Sequence, residues 1–146
     1  MTDQIPDAAA QRAFNQSVID EFRSNHGKVG GPFAGHDLLL LTTRGAKSGL
    51  SRLVPLSYLT IDGAMILVGS LAGADVDPAW AHNLRANPRA HIDLGTQSYD
   101  VLARELSRSE RDATFPKVTD MEPIYAEYQA KTTRAIPLFE LRRAEN

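Results

Sequence analysis

The chain has 146 residues, a formal net charge of -2 at pH 7, 42% hydrophobic and 23% charged residues, and no cysteine. That length and composition set a single globular domain over residues 1–146 with a sizeable core. The slight acidic balance argues against nucleic-acid binding, which needs a basic surplus. The missing cysteine excludes disulfides, thiolate metal sites and thiol nucleophiles, and fits a reducing compartment.

Residues 1–7 read as a flexible, polar tail without an apolar signal core, and no apolar run approaches membrane-spanning length, so a cytoplasmic location is expected. Ala8 to Asn25 reads as a helix, because Phe14, Val18 and Phe22 recur on one face. A glycine-rich loop, GKVGGPFAGHD, leads to strands at Leu38–Thr43 and Leu53–Thr60. Asp62-Gly63 signals a hairpin into a strand over Ala64–Gly69. Asp77 followed by Pro78 reads as a cap and first-turn proline of a helix that runs to Ala86. Ala90–Leu94 and Ser98–Glu105 form a second hairpin, and Ser107-x-x-Glu110 is a capping box opening a helix towards Lys117. A short helix over Asp120–Lys131 follows. The last strand, Ala135–Leu141, contains Pro137 and is therefore expected at an edge or a bulge. Strands arriving as hairpins with short helices between them favour a mainly β, α+β fold: an antiparallel sheet curled into a small barrel with peripheral helices.

Leu38 to Pro55, LLLLTTRGAKSGLSRLVP, carries the chemistry. A tight turn there concentrates Arg44, Lys47 and Arg52 among Gly45, Ser48 and Gly49. Cations and exposed N–H groups in such a turn suit a phosphate or carboxylate, although a solvated hairpin tip has the same composition. It is neither a Walker nor a Rossmann motif. The small residues of Gly69-Ser70-Leu71-Ala72-Gly73 would let backbone approach a flat ring, or form a plain loop. Trp80 on the following helix is favoured as core. Tyr125 and Tyr128, three apart on a helix, could line a cleft or simply pack. The histidines, His26, His36, His82 and His91, show no metal spacing, and no metal site is expected. The Phe14–Phe22 face could touch a membrane, but it lacks a basic flank, and packing over the barrel is favoured.

Together LLLLTTRGAKSGLSRLVPL, GSLAGADVDPAWAHNLRANP and MEPIYAEYQAKTTRAIPLFEL resemble the deazaflavin (coenzyme F420)-dependent nitroreductase and quinone reductase family, with GKVGGPFAGHDLLLLTT extending the match upstream. The resemblance spans about Asn25 to Leu141. It implies a split β-barrel, flavin-reductase and pyridoxamine-phosphate-oxidase-like, and a bound 8-hydroxy-5-deazaflavin, coenzyme F420, with FMN as the alternative cofactor. By resemblance, Lys47 and Arg52 hold the tail phosphate with Ser48 and Gly49 as companions. Pro55, Leu56, Gly69 and Ser70 lie beside the ring, and Asp77, Pro78 and Trp80 close the cleft. Tyr125 and Tyr128 lie on the substrate side. Leu71 stands where a lysine is common, Ser57 where an aromatic is, Val54 where an asparagine is, and Glu122 where a further tyrosine is. These departures spare the phosphate grip and alter the substrate pocket.

The resulting expectation is a hydride transfer from reduced deazaflavin to a quinone-like or nitro-aromatic acceptor. Tyr125 and Tyr128, with backbone N–H groups near Ser70, are the catalytic candidates. An FMN-dependent reductase on the same barrel and a non-catalytic deazaflavin carrier are the rivals. Pairing as a homodimer would bury an edge strand.

Overall fold

Four consecutive leucines fix the centre of the fold. The computed structural model describes residues 8–33 and 35–144 and places these leucines in β1 (Leu38–Arg44). The expected tail over residues 1–7 lies outside the described residues. Alternation along β1 sends Leu39 and Leu41 into one apolar cluster and Leu38 and Leu40 into another. A strand covered on both faces needs such an unbroken apolar run.

The other strands are β2 (Ser51–Ser57), β3 (Leu59–Ile61), β4 (Ala64–Val68), β5 (Arg89–Asp93), β6 (Ser98–Glu105) and β7 (Leu138–Arg143). They form a seven-stranded sheet in the order β2-β1-β5-β6-β7-β4-β3, antiparallel at every junction. The edge strands β2 and β3 are separated in the chain only by Tyr58. The two edges must therefore meet there, and the sheet has to curl into a split barrel. The Tyr58 amide donates to the Asp37 carbonyl at 3.1 Å, pinning the junction to the start of β1.

The helices are α1 (Ala8–Ser24), α2 (Ala79–Ala86), α3 (Arg108–Met121) and α4 (Ile124–Ala130). Inside the barrel, Leu39, Leu41, Leu67, Ile92, Val101 and Phe139 pack with Trp80, Ala81 and Leu84 of α2. The Trp80 and Phe139 rings meet edge to face with centroids 5.6 Å apart. On the outside, α1 lays Val18, Ile19 and Phe22 over Leu38 and Leu40. Val118 of α3 and Tyr125 of α4 pack beside Leu59, Ile66 and Leu138.

The two clearest local signals hold. Asp62 and Gly63 take φ of 53° and 82°, the paired left-handed conformation of a two-residue hairpin turn. In the capping box, Glu110 N donates to Ser107 Oγ at 3.2 Å and Ser107 N to Glu110 Oε1 at 2.9 Å.

Four expectations need correction. The single strand over Leu53–Thr60 is two, broken at Tyr58 where the barrel turns. Asp77 does not cap α2: Pro78 takes that position, without a side-chain cap bond, and the Asp77 carboxylate is engaged by Arg85 and Arg134. The first late helix runs through Pro116 to Met121, and the break comes at Glu122, whose extended backbone precedes Pro123. Finally, β7 is central, between β6 and β4. It begins at Leu138, just after Pro137, so no ladder amide is lost.

Candidate active site

The turn between β1 and β2 is drawn tight by its own backbone. Gly45 N donates to Leu50 O at 2.8 Å and Gly49 N to Gly45 O at 2.9 Å. Leu50 N reaches Ser48 Oγ at 3.1 Å. A Cβ on Gly45 would lie 2.6 Å from Ser48 Oγ and 3.3 Å from Leu50 O, so a side chain here would displace the Ser48 hydroxyl from the Leu50 amide. Gly49 is exposed at the tip with φ +72°. The turn is also tied to α2: Ala46 N donates to Asn83 Oδ1 at 2.9 Å, and Asn83 Nδ2 donates to Thr43 Oγ1 at 3.0 Å. Asn83 is buried. Sequence reasoning missed it, although an asparagine between Ala81 and Leu84 on a helix otherwise facing the core was a usable signal.

Between this turn, β2, α1 and α2 lies a cavity of about 690 Å³. Lys47, Ser48 and Arg52 form one end, Val54, Pro55 and Leu56 run along β2, and Pro78 and Trp80 close it from α2. Phe14 reaches in from α1; it is 42% exposed and its ring sits 6.0 Å from that of Phe33. Among the described residues no aspartate or glutamate lines this cavity. Among the described residues no carboxylate pairs with Lys47 or Arg52. Two unneutralised cations at the end of an apolar trough suit a flat molecule with an anionic tail. Arg44 lies in a separate recess with Arg89 and His91.

Leu71 and Ala72 give the adjoining loop its shape. Ser70 is right-handed helical (φ -77°, ψ -35°), whereas Leu71 and Ala72 are left-handed at φ 44° and 54°. Each costs about 1–3 kcal/mol in a non-glycine residue. The succession turns consecutive amides to one side. Among the described residues the N–H groups of Ser70, Leu71 and Ala72 meet no acceptor, and Leu71 lines the cavity. Arg134 holds this strained loop in place. Its Nε donates to Ala74 O at 2.9 Å, its Nη2 to Ser70 O at 2.9 Å, and its Nη1 to Gly69 O at 3.2 Å and Asp77 Oδ1 at 2.7 Å. Its partners lie about sixty positions away in the chain, so no local pattern announces it. Gly69 meets Pro137 instead of the cavity: a Cβ there would stand 2.8 Å from the proline Cγ.

A second cavity of about 550 Å³ adjoins the first. Phe33 lines both, and consecutive residues Leu56 and Ser57 of β2 line one each. Tyr125 and Tyr128 wall the second, their ring centroids 6.0 Å apart. Burial pushes the Tyr125 phenol up to about 12, with Glu122 and Tyr128 adding to the shift. Burial, then Asp37 and Tyr99, also raise Tyr58, which lies on the same wall.

A family model described as F420H(2)-dependent quinone reductase matches residues 15–142. The chain belongs to this family. An F420H(2)-dependent quinone reductase of Mycobacterium tuberculosis is 32% identical over 126 residues, covering 84% of this chain and 85% of the relative. A solved F420-H2 dependent reductase is 39% identical, covering 73% of this chain and 94% of its own at a TM-score of 0.63. A further solved structure, whose description gives only a domain-swapped dimer, is 34% identical, with coverage of 92% and 94% and a TM-score of 0.64. A Listeria innocua protein described provisionally as a pyridoxamine 5′-phosphate oxidase, 10% identical at a TM-score of 0.52 over 75% of this chain and 86% of its own, shares the fold alone.

In this quinone reductase family member the expected site residues fall into three groups. Lys47, Ser48, Arg52, Pro55, Leu56, Pro78 and Trp80 share the larger cavity. Tyr125 and Tyr128 share the second. Gly49, Gly69, Ser70 and Asp77 line neither and shape the turn and loop beside them. Phe14, His82 and Asn83 line the larger cavity without having been singled out for it.

Proposed function

We propose that the deazaflavin of this F420H(2)-dependent oxidoreductase lies in the larger cavity and that a quinone, or a nitro-aromatic of similar shape, accepts the hydride in the tyrosine cavity beside it. Family membership supports the cofactor and the reaction. The observation that carries the placement is the pair of cations, Lys47 and Arg52, which among the described residues have no carboxylate partner and no carboxylate beside them in the cavity.

The donor set fits the cofactor. Lys47, Arg52 and Ser48 offer charge-assisted bonds to a tail phosphate. Val54, Pro55, Leu56 and Trp80 supply an apolar bed for a ring. The amides of Ser70, Leu71 and Ala72 offer donors to ring oxygens. When bound, the deazaflavin supplies a two-electron hydride donor. The chain's task is then to position, exclude water and stabilise charge. Tyr125 and Tyr128 orient the acceptor by donating hydrogen bonds to its oxygen. With its proton held to about pH 12, Tyr125 donates without ionising.

Among the described residues no helix is long and apolar enough to cross a membrane, and the cysteine-free composition is compatible with the reducing cytosol, where we place the reaction. We also infer a homodimer. The domain-swapped relative supports it, as does the edge strand β2 with Leu53 38% exposed beside Leu50 at 60%.

Titration with F420 and with FMN tests the placement. The parent should bind F420 and not FMN. Lys47→Ala combined with Arg52→Ala should weaken F420 binding at least a hundredfold with little change in melting temperature, since both side chains are exposed. Undiminished F420 affinity in the double variant would remove the assignment.

A further inference from the structure

The two adjoining cavities have opposite electrostatic characters. The larger is lined by Lys47 and Arg52 and, among the described residues, by no carboxylate. The second is lined by Asp37 and Glu122, by the phenols Tyr58, Tyr125 and Tyr128, and by no lysine or arginine. The side chain there that can carry a positive charge is His36. Its Nδ1 lies 3.3 Å from Glu122 Oε1, with the two side chains 37% and 31% exposed. Glu122 thus stands beside Nδ1, and among the described residues Nε2 has no hydrogen-bond partner.

Hydride addition to a quinone places negative charge on an oxygen. Beside Asp37 and Glu122 that charge is repelled unless a proton arrives with it. Tyr125 is a poor source, since burial holds its proton to about pH 12. Histidine is the side chain that ordinarily exchanges a proton near neutrality.

We propose that His36, beside Glu122, is the general acid of the acceptor cavity. This rests on the reading of that cavity given above. The acceptor gains a hydride, and with it two electrons from the reduced deazaflavin. An imidazolium N–H bond breaks as the acceptor O–H forms, and the neutral imidazole then takes a proton from solvent. The titratable groups that share a cavity with His36 are Glu122 between α3 and α4, Tyr125 and Tyr128 of α4, Asp37 and Tyr58 at the barrel junction, and His26 and Lys28 in the loop after α1.

Two measurements test the assignment. In single-turnover oxidation of the F420H2-loaded chain by menadione, the parent rate should fall as pH rises. His36→Gln should lower the rate at pH 6.5 about a hundredfold, flatten that limb and leave F420 affinity within twofold. Free imidazole should recover at least tenfold in His36→Ala, and Glu122→Gln should lie between parent and His36→Gln. The second measurement needs no cofactor. Ionised 2-hydroxy-1,4-naphthoquinone, a mimic of the charged oxygen, should bind the cofactor-free parent about tenfold tighter at pH 6 than at pH 8.5, and His36→Gln should bind it equally at both. A His36→Gln variant that keeps the parent rate and pH limb, or parent binding that ignores pH, overturns the proposal. Loss of F420 binding or menadione turnover in the parent itself would instead strike the placement of the two cavities.

Discussion

Tyr125 illustrates how a single residue's environment limits its chemistry. Its phenol, raised from 10.0 to about 12, stays protonated throughout any working pH. Replacing it by phenylalanine should slow single-turnover hydride transfer about ten- to a hundredfold, with no change in the shape of the pH profile below pH 9. The same shift has a stability consequence of fixed sign. As pH rises above 10, the unfolded chain releases this proton before the folded one does. The contribution is therefore whole below pH 10 and is lost between pH 10 and pH 12, by at most about 2 kcal/mol. Urea denaturation at pH 9 and pH 11.5 should show that loss in the parent and a smaller one in Tyr125→Phe. At this scale the sequence identified the pair of tyrosines and the cationic turn. It could not reveal Asn83 as the bridge from turn to helix, because its partners, Thr43 and Ala46, are about forty residues away.

Among the elements, the loop from Gly69 to Asp77 depends most on a distant part of the chain. Two left-handed non-glycine residues persist there only if their surroundings over-determine them, and Arg134 does so through four hydrogen bonds. Arg134→Ala leaves three carbonyls without their guanidinium partner and the Asp77 carboxylate with Arg85 alone. We expect a loss of about 2–4 kcal/mol in urea denaturation. Amide exchange at Leu71 to Ala74 should rise well beyond what that global loss explains. Exchange that rises no more there than elsewhere would show that the loop holds its own shape. Elements whose signals are local were legible: the Asp62-Gly63 turn, the Ser107 capping box and the Ser98–Glu105 strand. Three of the misjudged boundaries, at Tyr58, Asp77 and Pro137, are set by neighbours distant in sequence; the fourth, at Glu122, is set by the adjacent Pro123.

Across the whole molecule, charge is segregated between the two cavities. In the proposed placement Lys47 and Arg52 attract an anionic cofactor to one side, and Asp37 and Glu122 discourage an anionic acceptor on the other. Raising ionic strength from 0.05 to 0.5 M should therefore weaken F420 binding severalfold while leaving the KM for menadione, a neutral acceptor, within twofold. Equal salt sensitivity of both quantities would contradict the segregation. The barrel provides the separation: β2 passes from the turn at Arg52 to the junction at Tyr58, about 20 Å at the usual rise per residue, and so runs past both cavities.

The amino-acid sequence by itself determined the strands, the hairpin turns, the cation-bearing bend and the family, because each is written in residues near one another in the chain. The closing of the sheet at Tyr58, the clamp of Arg134 on a strained loop, the burial of Asn83 and the meeting of His36 with Glu122 were decided only by the tertiary structure. Each joins groups far apart along the chain, and their distance in space follows from how the sheet curls and not from any local preference of the backbone.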